Sequence, residues 1–147
     1  MLLSSIMMIS RNYTMQKTII VGDTHDLLVR DTDLIPYIDM LCRRNGSSIE
    51  ANQKSIRSQL QFFRKSPLMI SQKYGLYLAP THALKDERCV FFNPFFVLDI
   101  VAVDKNTSDV HFVNGTVFRY QSTVKFLRLQ IERTRIIRDF FQNAECT

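Results

Sequence analysis

Positive charge is concentrated in one segment of this chain of 147 residues. Between residues 43 and 85 a single carboxylate, Glu50, is outnumbered by eight basic side chains: Arg43, Arg44, Lys54, Arg57, Arg64, Lys65, Lys73 and Lys85. This segment has a formal charge of +7, whereas the other 11 basic and 13 acidic residues sum to −2. Clustered cations bind polyanions such as nucleic acids, because every phosphate that they neutralise releases condensed counterions. Binding of a polyanion is thus the chemistry that the sequence favours first.

Residues suited to catalysis or metal binding are few and poorly spaced. Asp23, His25 and Asp26 form a small acidic cluster with a histidine that is typical of a turn, and His82 and His111 are isolated. No nucleophile motif or metal-ligand spacing accompanies them. The segment around the first cluster also lacks the glycines and the lysine of a phosphate-binding loop. We therefore expect neither an enzyme nor a metal or cofactor site.

The three cysteines, Cys42, Cys89 and Cys146, are an odd number at wide spacings and form no CxxC pair. This pattern indicates reduced thiols in the cytoplasm rather than a disulfide framework or a zinc site. At the N-terminus the apolar run covers only about nine residues and lacks the basic flank of a signal peptide. We expect no membrane segment there, and residues 1–17 should be either frayed or a first strand.

Length and composition fit one domain. A hydrophobic content of 46% is enough for one ordinary core, and the sequence shows neither a repeat nor a low-complexity linker. We expect a single domain over residues 18–142 and a tail at 143–147.

A hairpin and two helices are predicted in the first half. Short β-branched runs indicate strands at 18–21 and 27–30. A helix capped by Thr32 or Asp33 should follow and end at Asn45-Gly46, where glycine accepts a left-handed conformation.

The second helix should begin at Ser47, whose spacing to Glu50 fits a capping box, and run to about Phe63. Its helical spacing gives it two faces. The apolar face contains Ile49, Ile56, Leu60 and Phe63. The polar face contains Lys54, Arg57, Gln61 and Arg64.

The second half is predicted to be mostly strands, at 68–71, 76–79, 90–92, 95–103, 110–113 and 116–120. The segments 90–92 and 95–103 are apolar enough for central strands, and Asn114-Gly115 favours a hairpin turn. The class is therefore α+β, mostly antiparallel, with an early helix pair and a long amphipathic helix at the C-terminus.

This closing helix should begin after Ser122 or Thr123 and end near Phe141. Opposite charges four residues apart predict two ion pairs, Arg128/Glu132 and Arg135/Asp139. Apolar residues almost surround the helix, so part of them can face a second subunit instead of the sheet. The candidates for this oligomer contact are Phe126, Leu129, Ile136 and Phe140.

Several short landmarks follow one another along the chain, over roughly residues 18 to 138. They are Cys42, Gly46-Ser47-Ser48, Glu50, Lys65-Ser66-Pro67-Leu68, Ile70-Ser71, Pro80-Thr81, Cys89, Asn114-Gly115, Gln130 and Arg133. In this order and spacing they resemble the ComK-like competence transcription factors. Members of that family are cytoplasmic DNA-binding activators that act as oligomers and recognise paired A-tract and T-tract boxes through the minor groove. In some bacteria an adaptor and a protease control them. The resemblance implies a cytoplasmic, nucleoid-associated protein that binds AT-rich duplex DNA.

The charge pattern and the resemblance together give eleven candidate DNA-binding residues. They are Arg43, Arg44, Asn45, Ser47, Ser48, Asn52, Lys54, Arg57, Arg64, Lys65 and Lys73. The narrow minor groove of A-tracts favours an inserted arginine, so Arg43, Arg44 and Arg57 are the candidates for the groove. Lys54, Arg64, Lys65 and Lys73 are the candidates for phosphates, and the two serines mark a helix N-terminus that favours anions.

The chain departs from the resemblance at two places, and alternatives to minor-groove binding follow. Ala51-Asn52 stands where family members often carry Gly-Arg, and Phe91 where they carry Trp, so recognition is either altered or lost. A helix-turn-helix in the major groove is a second geometry. An RNA- or single-strand-binding module is another alternative, with stacking by Phe62, Phe63, Tyr74 and Tyr77. The last is a protein-interaction domain that has lost DNA recognition.

Overall fold

The computed structural model describes residues 1–12 and 14–144 and has the α+β fold that the sequence predicts. The strands in these residues are β1 (Ile6–Asn12), β2 (Lys17–Gly22), β3 (Leu27–Arg30), β4 (Leu68–Ser71), β5 (Leu76–Pro80), β6 (Phe91–Phe92), β7 (Val97–Ala102), β8 (Ser108–Phe112) and β9 (Val117–Tyr120). The helices are α1 (Leu34–Arg44), α2 (Ile49–Leu60) and α3 (Val124–Ala144). The early helix pair and the long C-terminal helix are confirmed.

Two antiparallel sheets form the framework. The larger has the strand order β3-β2-β1-β6-β5-β4, and the smaller has the order β7-β8-β9. Neighbouring Phe91 and Phe92 in β6 point to opposite faces of the larger sheet, and both are fully buried. Phe91 belongs to the core beneath α1, whereas Phe92 belongs to the core shared with the smaller sheet and α3. The larger sheet therefore lies between two apolar layers.

The N-terminal segment was expected to be either frayed or a first strand, and residues 6–12 are a strand. They form β1, which lies in the middle of the larger sheet between β2 and β6. At the other end, α3 includes residues 143 and 144, and the rest of the expected tail lies outside the described residues. Cys146 lies outside them as well, whereas Cys42 and Cys89 are buried free thiols.

Helix α2 differs from its predicted bounds at both ends. Its cap is Ser48 rather than Ser47, because the Ser48 hydroxyl accepts a hydrogen bond from the Ala51 N–H at 3.0 Å. It ends at Leu60 because Gln61 takes a left-handed conformation with φ +60°. The chain therefore leaves the helical path before Phe63, and this ring is 62% exposed instead of facing the core.

Two further expectations are wrong. Strand β7 is not central but lies at the edge of the smaller sheet, where β8 is its one neighbour among the described strands. The ion pairs of α3 also differ from those predicted, because Arg135 pairs with Glu132 at 3.7 Å and Arg138 with Asp139 at 3.4 Å. Apolar content and spacing alone do not fix which neighbour a strand or a charged side chain meets.

The structure contains an internal repeat that sequence comparison within the chain does not display. A short 3-10 turn, three antiparallel strands and a helix occur over residues 3–44 and again over residues 94–144. The pairing registers match after a shift of 90 residues, since Ile20 pairs with Leu28 and Val110 with Phe118. The repeat is therefore one of backbone structure, which the sequence does not predict.

Details of the two units match as well. The first strand of each unit, β1 or β7, carries an irregularity at its start, between Ile6 and Met8 and between Val97 and Asp99. The hairpin turn of each unit contains a residue with positive φ, His25 in the first and Gly115 in the second. At this shift most aligned positions carry different residue types, so the similarity lies in the backbone.

None of the helices in residues 1–12 and 14–144 is both long enough and apolar enough to cross a bilayer.

Candidate nucleic-acid interface

Helix α2 presents cations to solvent because its other face is anchored on the larger sheet. Ile49 and Ile56 are buried and α2 contacts β4. The side chains of Lys54 and Arg57 lie on the opposite face and are exposed. This part of the helix has the two faces that the sequence predicts.

Asn52, a candidate DNA contact, is instead a structural residue. Its side chain is only 5% exposed, and its amide donates to the carbonyl oxygen of Met69 at 2.7 Å. Its side-chain oxygen accepts a hydrogen bond from the Met69 N–H at 3.1 Å. Because β4 is the last strand of the larger sheet, Asn52 satisfies backbone groups on an edge that has no further strand. It is therefore not free to bond a DNA base.

Arg43 is also less available than the sequence predicts. Its guanidinium contacts the Asp39 carboxylate at 2.7 Å, and the same carboxylate accepts the backbone N–H of Ile49 at 2.9 Å. The hydrogen bond from Ile49 and then that from Arg43 hold the pKa of Asp39 below its usual range. Asp39 thus joins α1 to the start of α2 and neutralises Arg43.

The turn between α1 and α2 forms one side of a cleft of about 650 Å³. Asn45, Ser47 and Lys73 line this cleft together with Gln142 from the C-terminal end of α3. The side chain of Asn45 also donates to the Leu41 carbonyl oxygen at 2.8 Å. The structure therefore brings three of the predicted residues together although Lys73 is far from the turn in sequence.

A second group forms where α3 holds the loop after α2. The fully buried side chain of Gln130 donates to the carbonyl oxygens of Lys65 and Pro80, both at 2.7 Å. Arg133 donates to the Arg64 carbonyl oxygen at 2.9 Å, and its guanidinium lies 5.1 Å from the centre of the Phe62 ring. These contacts fix the backbone that carries Arg64 and Lys65.

The ammonium group of Lys65 lies near the N-terminal end of α3, 4.9 Å from the centre of the Phe126 ring. It lines a cleft of about 510 Å³ with Thr81, His82 and Arg88. Because Phe126 and Gln142 mark the two clefts and are 16 helical residues apart, the clefts are separated by about 24 Å along α3. The predicted residues that line the two clefts therefore lie near opposite ends of α3 and do not form one compact patch.

Most of the predicted cations have no acidic partner. Arg43 is paired with Asp39. No carboxylate in residues 1–12 and 14–144 lies within 4.0 Å of the other six predicted cations. These six, which we call the unpaired cations, are Arg44, Lys54, Arg57, Arg64, Lys65 and Lys73.

Comparison with known proteins gives the family. The family model described as "ComK protein" matches residues 2–145. The chain belongs to the ComK family. The Competence transcription factor of Bacillus subtilis (strain 168) is a curated relative that is 23% identical over 109 residues. These residues are 74% of this chain and 57% of the relative, so the match spans little more than half of the relative's length. No solved structure matches.

The aromatic residues near the unpaired cations of this ComK-family chain are divided between core and surface. Tyr77 is buried, and Phe62 is half-buried beneath Arg133. Phe63 and Tyr74 are exposed, and the ammonium group of Lys73 lies 5.2 Å from the centre of the Tyr74 ring.

The predicted oligomer contacts of the ComK-family helix α3 also differ from one another. Leu129 and Ile136 are exposed, whereas Phe126 and Phe140 are half-buried. The two phenylalanines already have partners, since Lys65 lies over Phe126 and the Phe140 ring packs edge-on against Phe141 at 5.3 Å.

Two of the histidines have structural places in the fold. His25 lies in the turn between β2 and β3, as predicted. His82 is buried, its Nε2 lies 2.7 Å from the Gln121 carbonyl oxygen, and its Nδ1 lies 2.7 Å from the Thr81 hydroxyl. Within the described part of this ComK-family chain, no three His, Cys, Asp or Glu side chains are grouped so as to hold a metal ion.

The sequence gives Arg133 and Gln130 no role beyond that of landmarks of the family resemblance. In the structure both hold the loop that carries Arg64 and Lys65, and their partners Arg64, Lys65 and Pro80 precede them by 50 to 69 residues. No local spacing signals a contact of this range.

Proposed function

We propose that this chain is a DNA-binding transcriptional regulator whose unpaired cations contact the duplex. The observation that carries the proposal is that Arg44, Lys54, Arg57, Arg64, Lys65 and Lys73 have no acidic partner in the described chain. Cations left without counter-charges gain most from phosphates, because the release of condensed counterions favours binding. Membership of the ComK family supports the same function.

AT-rich DNA read through the minor groove is the finer part of the proposal. A narrow A-tract groove attracts arginine side chains. With Arg43 paired to Asp39, Arg44 and Arg57 are the proposed groove contacts, and the remaining unpaired cations bind phosphates.

The test compares labelled AT-rich duplex, GC-rich duplex and single-stranded DNA at two salt concentrations. Arg44→Ala and Arg57→Ala should each weaken binding to the AT-rich duplex several-fold and reduce its advantage over the GC-rich duplex, because both arginines are the proposed groove contacts. Arg119→Ala is the matched control, because it removes the same charge from an exposed arginine that is already paired with Asp109. Its affinity should stay that of the wild type.

Equal weakening by all three substitutions would show only a general effect of net charge. Wild-type affinity in both Arg44→Ala and Arg57→Ala would contradict the proposed contacts, and absence of binding to any DNA would contradict the function. Equal affinity for AT-rich and GC-rich duplexes would agree with DNA binding but contradict the proposed preference for AT-rich DNA.

A second candidate function is binding of RNA or single-stranded DNA, and it rests on the exposed ring of Phe63. This ring follows α2 directly, next to Arg64, so an unpaired base could stack on it beside a cation. Stacking contributes about 1–3 kcal/mol per base. Phe63→Ala should then weaken binding to the single strand about tenfold, whereas under the duplex proposal it should leave duplex affinity unchanged.

A further inference from the structure

The internal repeat identifies a strand position that is filled in the first unit and empty in the second. In the first unit, β1 pairs with β2 on one side and with β6 on the other. In the second unit, the equivalent strand β7 pairs with β8 on one side, and among the described residues no strand pairs with its other side. The edge of β7 is therefore the place where the second unit lacks a neighbour that the first unit has.

Side-chain burial shows the same difference at equivalent positions. Met7 of β1 corresponds to Leu98 of β7, since each lies within the irregularity at the start of its strand. Met7 is fully buried, whereas Leu98 is 71% exposed. Val101 and Val103 farther along are also exposed. Exposed apolar side chains on an unpaired strand edge are typical of a surface that pairs with another chain.

One backbone N–H of β7 is bonded at this edge by a side chain of the same strand. In the first unit, the Met7 carbonyl oxygen accepts a hydrogen bond from the Asn93 N–H at 2.8 Å, next to β6. In the second unit, the N–H of Ile100 donates to the carboxylate of the preceding Asp99 at 2.8 Å. The Val103 N–H bonds the Thr107 carbonyl oxygen on the side of β8, and N–H groups alternate along a strand, so the Ile100 N–H faces away from β8. Asp99 is exposed. The carboxylate can therefore turn into solvent when a better-placed carbonyl arrives.

We propose that β7 of a second copy of this chain fills the empty position, so that the two β7 strands pair antiparallel around a two-fold axis. Pairing of the same strand fills both vacancies at once and closes the assembly at two copies. It also buries Leu98, Val101 and Val103 of one copy against those of the other. The proposal does not depend on DNA binding.

The exposed apolar residues of α3, Leu129 and Ile136, are a poorer surface for contact with a second copy. Leu129 and Ile136 are two turns apart, and the ion pair between Glu132 and Arg135 lies between them. Desolvating that pair would oppose association, whereas pairing at β7 adds backbone hydrogen bonds. The same experiment separates the two surfaces.

Sedimentation velocity of the full chain without DNA, from micromolar to about 100 µM, measures the dimer. Leu98→Lys adds a charge to the buried contact, and Ala102→Pro removes an N–H on the same side of β7 as that of Ile100, away from β8. Each should weaken dimerisation at least tenfold. Val117→Lys is the matched control on β9 of the same sheet, where the side chain is exposed but distant from the β7 edge, and it should dimerise like the wild type.

A variant that strengthens the dimer provides a further test, because misfolding cannot explain tighter dimerisation. Asp99→Ala frees the Ile100 N–H for the carbonyl of the second copy and should strengthen the dimer. A wild type that stays monomeric at 100 µM overturns the proposal. So does a dimer that survives both Leu98→Lys and Ala102→Pro but is lost in Leu129→Lys, which would assign the contact to α3.

Discussion

The side chain of Gln130 in α3 donates a 2.7 Å hydrogen bond to the carbonyl oxygen of Lys65 in the loop after α2. The two residues are 65 positions apart, and Gln130 is fully buried. The same amide group donates to the Pro80 carbonyl oxygen at the end of β5. One glutamine therefore fixes the basic loop, the larger sheet and α3 relative to one another.

Gln130→Leu should destabilise the chain and loosen the basic loop. Two carbonyl oxygens lose their donor, and each unsatisfied buried group costs about 1–3 kcal/mol. We expect the free energy of unfolding, measured with urea, to fall by about 2–4 kcal/mol. Gln142→Leu, an exposed change in the same helix, is the control and should change it by less than about 0.5 kcal/mol. A similar small effect for both would contradict the role of Gln130.

Asn52→Ala should lower stability without changing DNA affinity. The substitution removes both hydrogen bonds to Met69, and the expected loss is about 2 kcal/mol in urea unfolding. Duplex binding, measured at a temperature where the variant is folded, should match that of the wild type. Gln59→Ala, on the exposed part of the same helix, controls for helix effects. Weaker binding by folded Asn52→Ala would restore this residue as a contact.

Thr18→Val and Ser108→Ala should have similar effects, because the two hydroxyls have equivalent places in the repeat. Thr18 donates to the Thr32 carbonyl oxygen at 2.6 Å, and Ser108 donates to that of Ser122 at 2.7 Å. Each substitution should cost about 1–2 kcal/mol in thermal or urea unfolding. The double variant should be additive within about 0.5 kcal/mol. A large effect at one site only would show that the units are stabilised differently.

His82 should make stability depend on pH near neutrality. Burial lowers the pKa of its imidazole, so the unfolded chain binds the proton more readily than the folded one. The contribution of neutral His82 is present above the unfolded pKa of about 6.5 and declines as pH falls below it. Urea midpoints of wild type and His82→Gln, measured from pH 8 to pH 5, should therefore converge on acidification. A constant difference would contradict this assignment.

The elements that the sequence predicted well are those set by neighbouring residues. Gly46 takes the positive φ expected after α1, and Gly115 does so between β8 and β9. The cap of α3 is likewise local, since the Thr123 hydroxyl accepts the Phe126 N–H at 3.1 Å. Conformational preference and short-range hydrogen bonds are properties of a few consecutive residues, and these can be read from the sequence.

The candidate site was predicted only in part, because availability depends on distant partners. Lys54 and Arg57 are exposed as expected, since α2 buries its apolar face. Asn52 and Arg43 were expected to face DNA, but Met69 and Asp39 occupy their polar groups. Neither sequence spacing nor net charge tells which polar side chain finds a partner inside the fold.

The sequence by itself determined the α+β class, the early helix pair, the closing helix and the excess of positive charge between residues 43 and 85. Only the tertiary structure decided which cations remain unpaired, how Gln130 and Arg133 hold the loop at Arg64 and Lys65, and that β7 has a free edge where β1 has none. The reason is physical. Helical periodicity and turns act over a few residues, whereas pairing of charges, buried amides and strand edges depends on which distant segments the folded chain brings together.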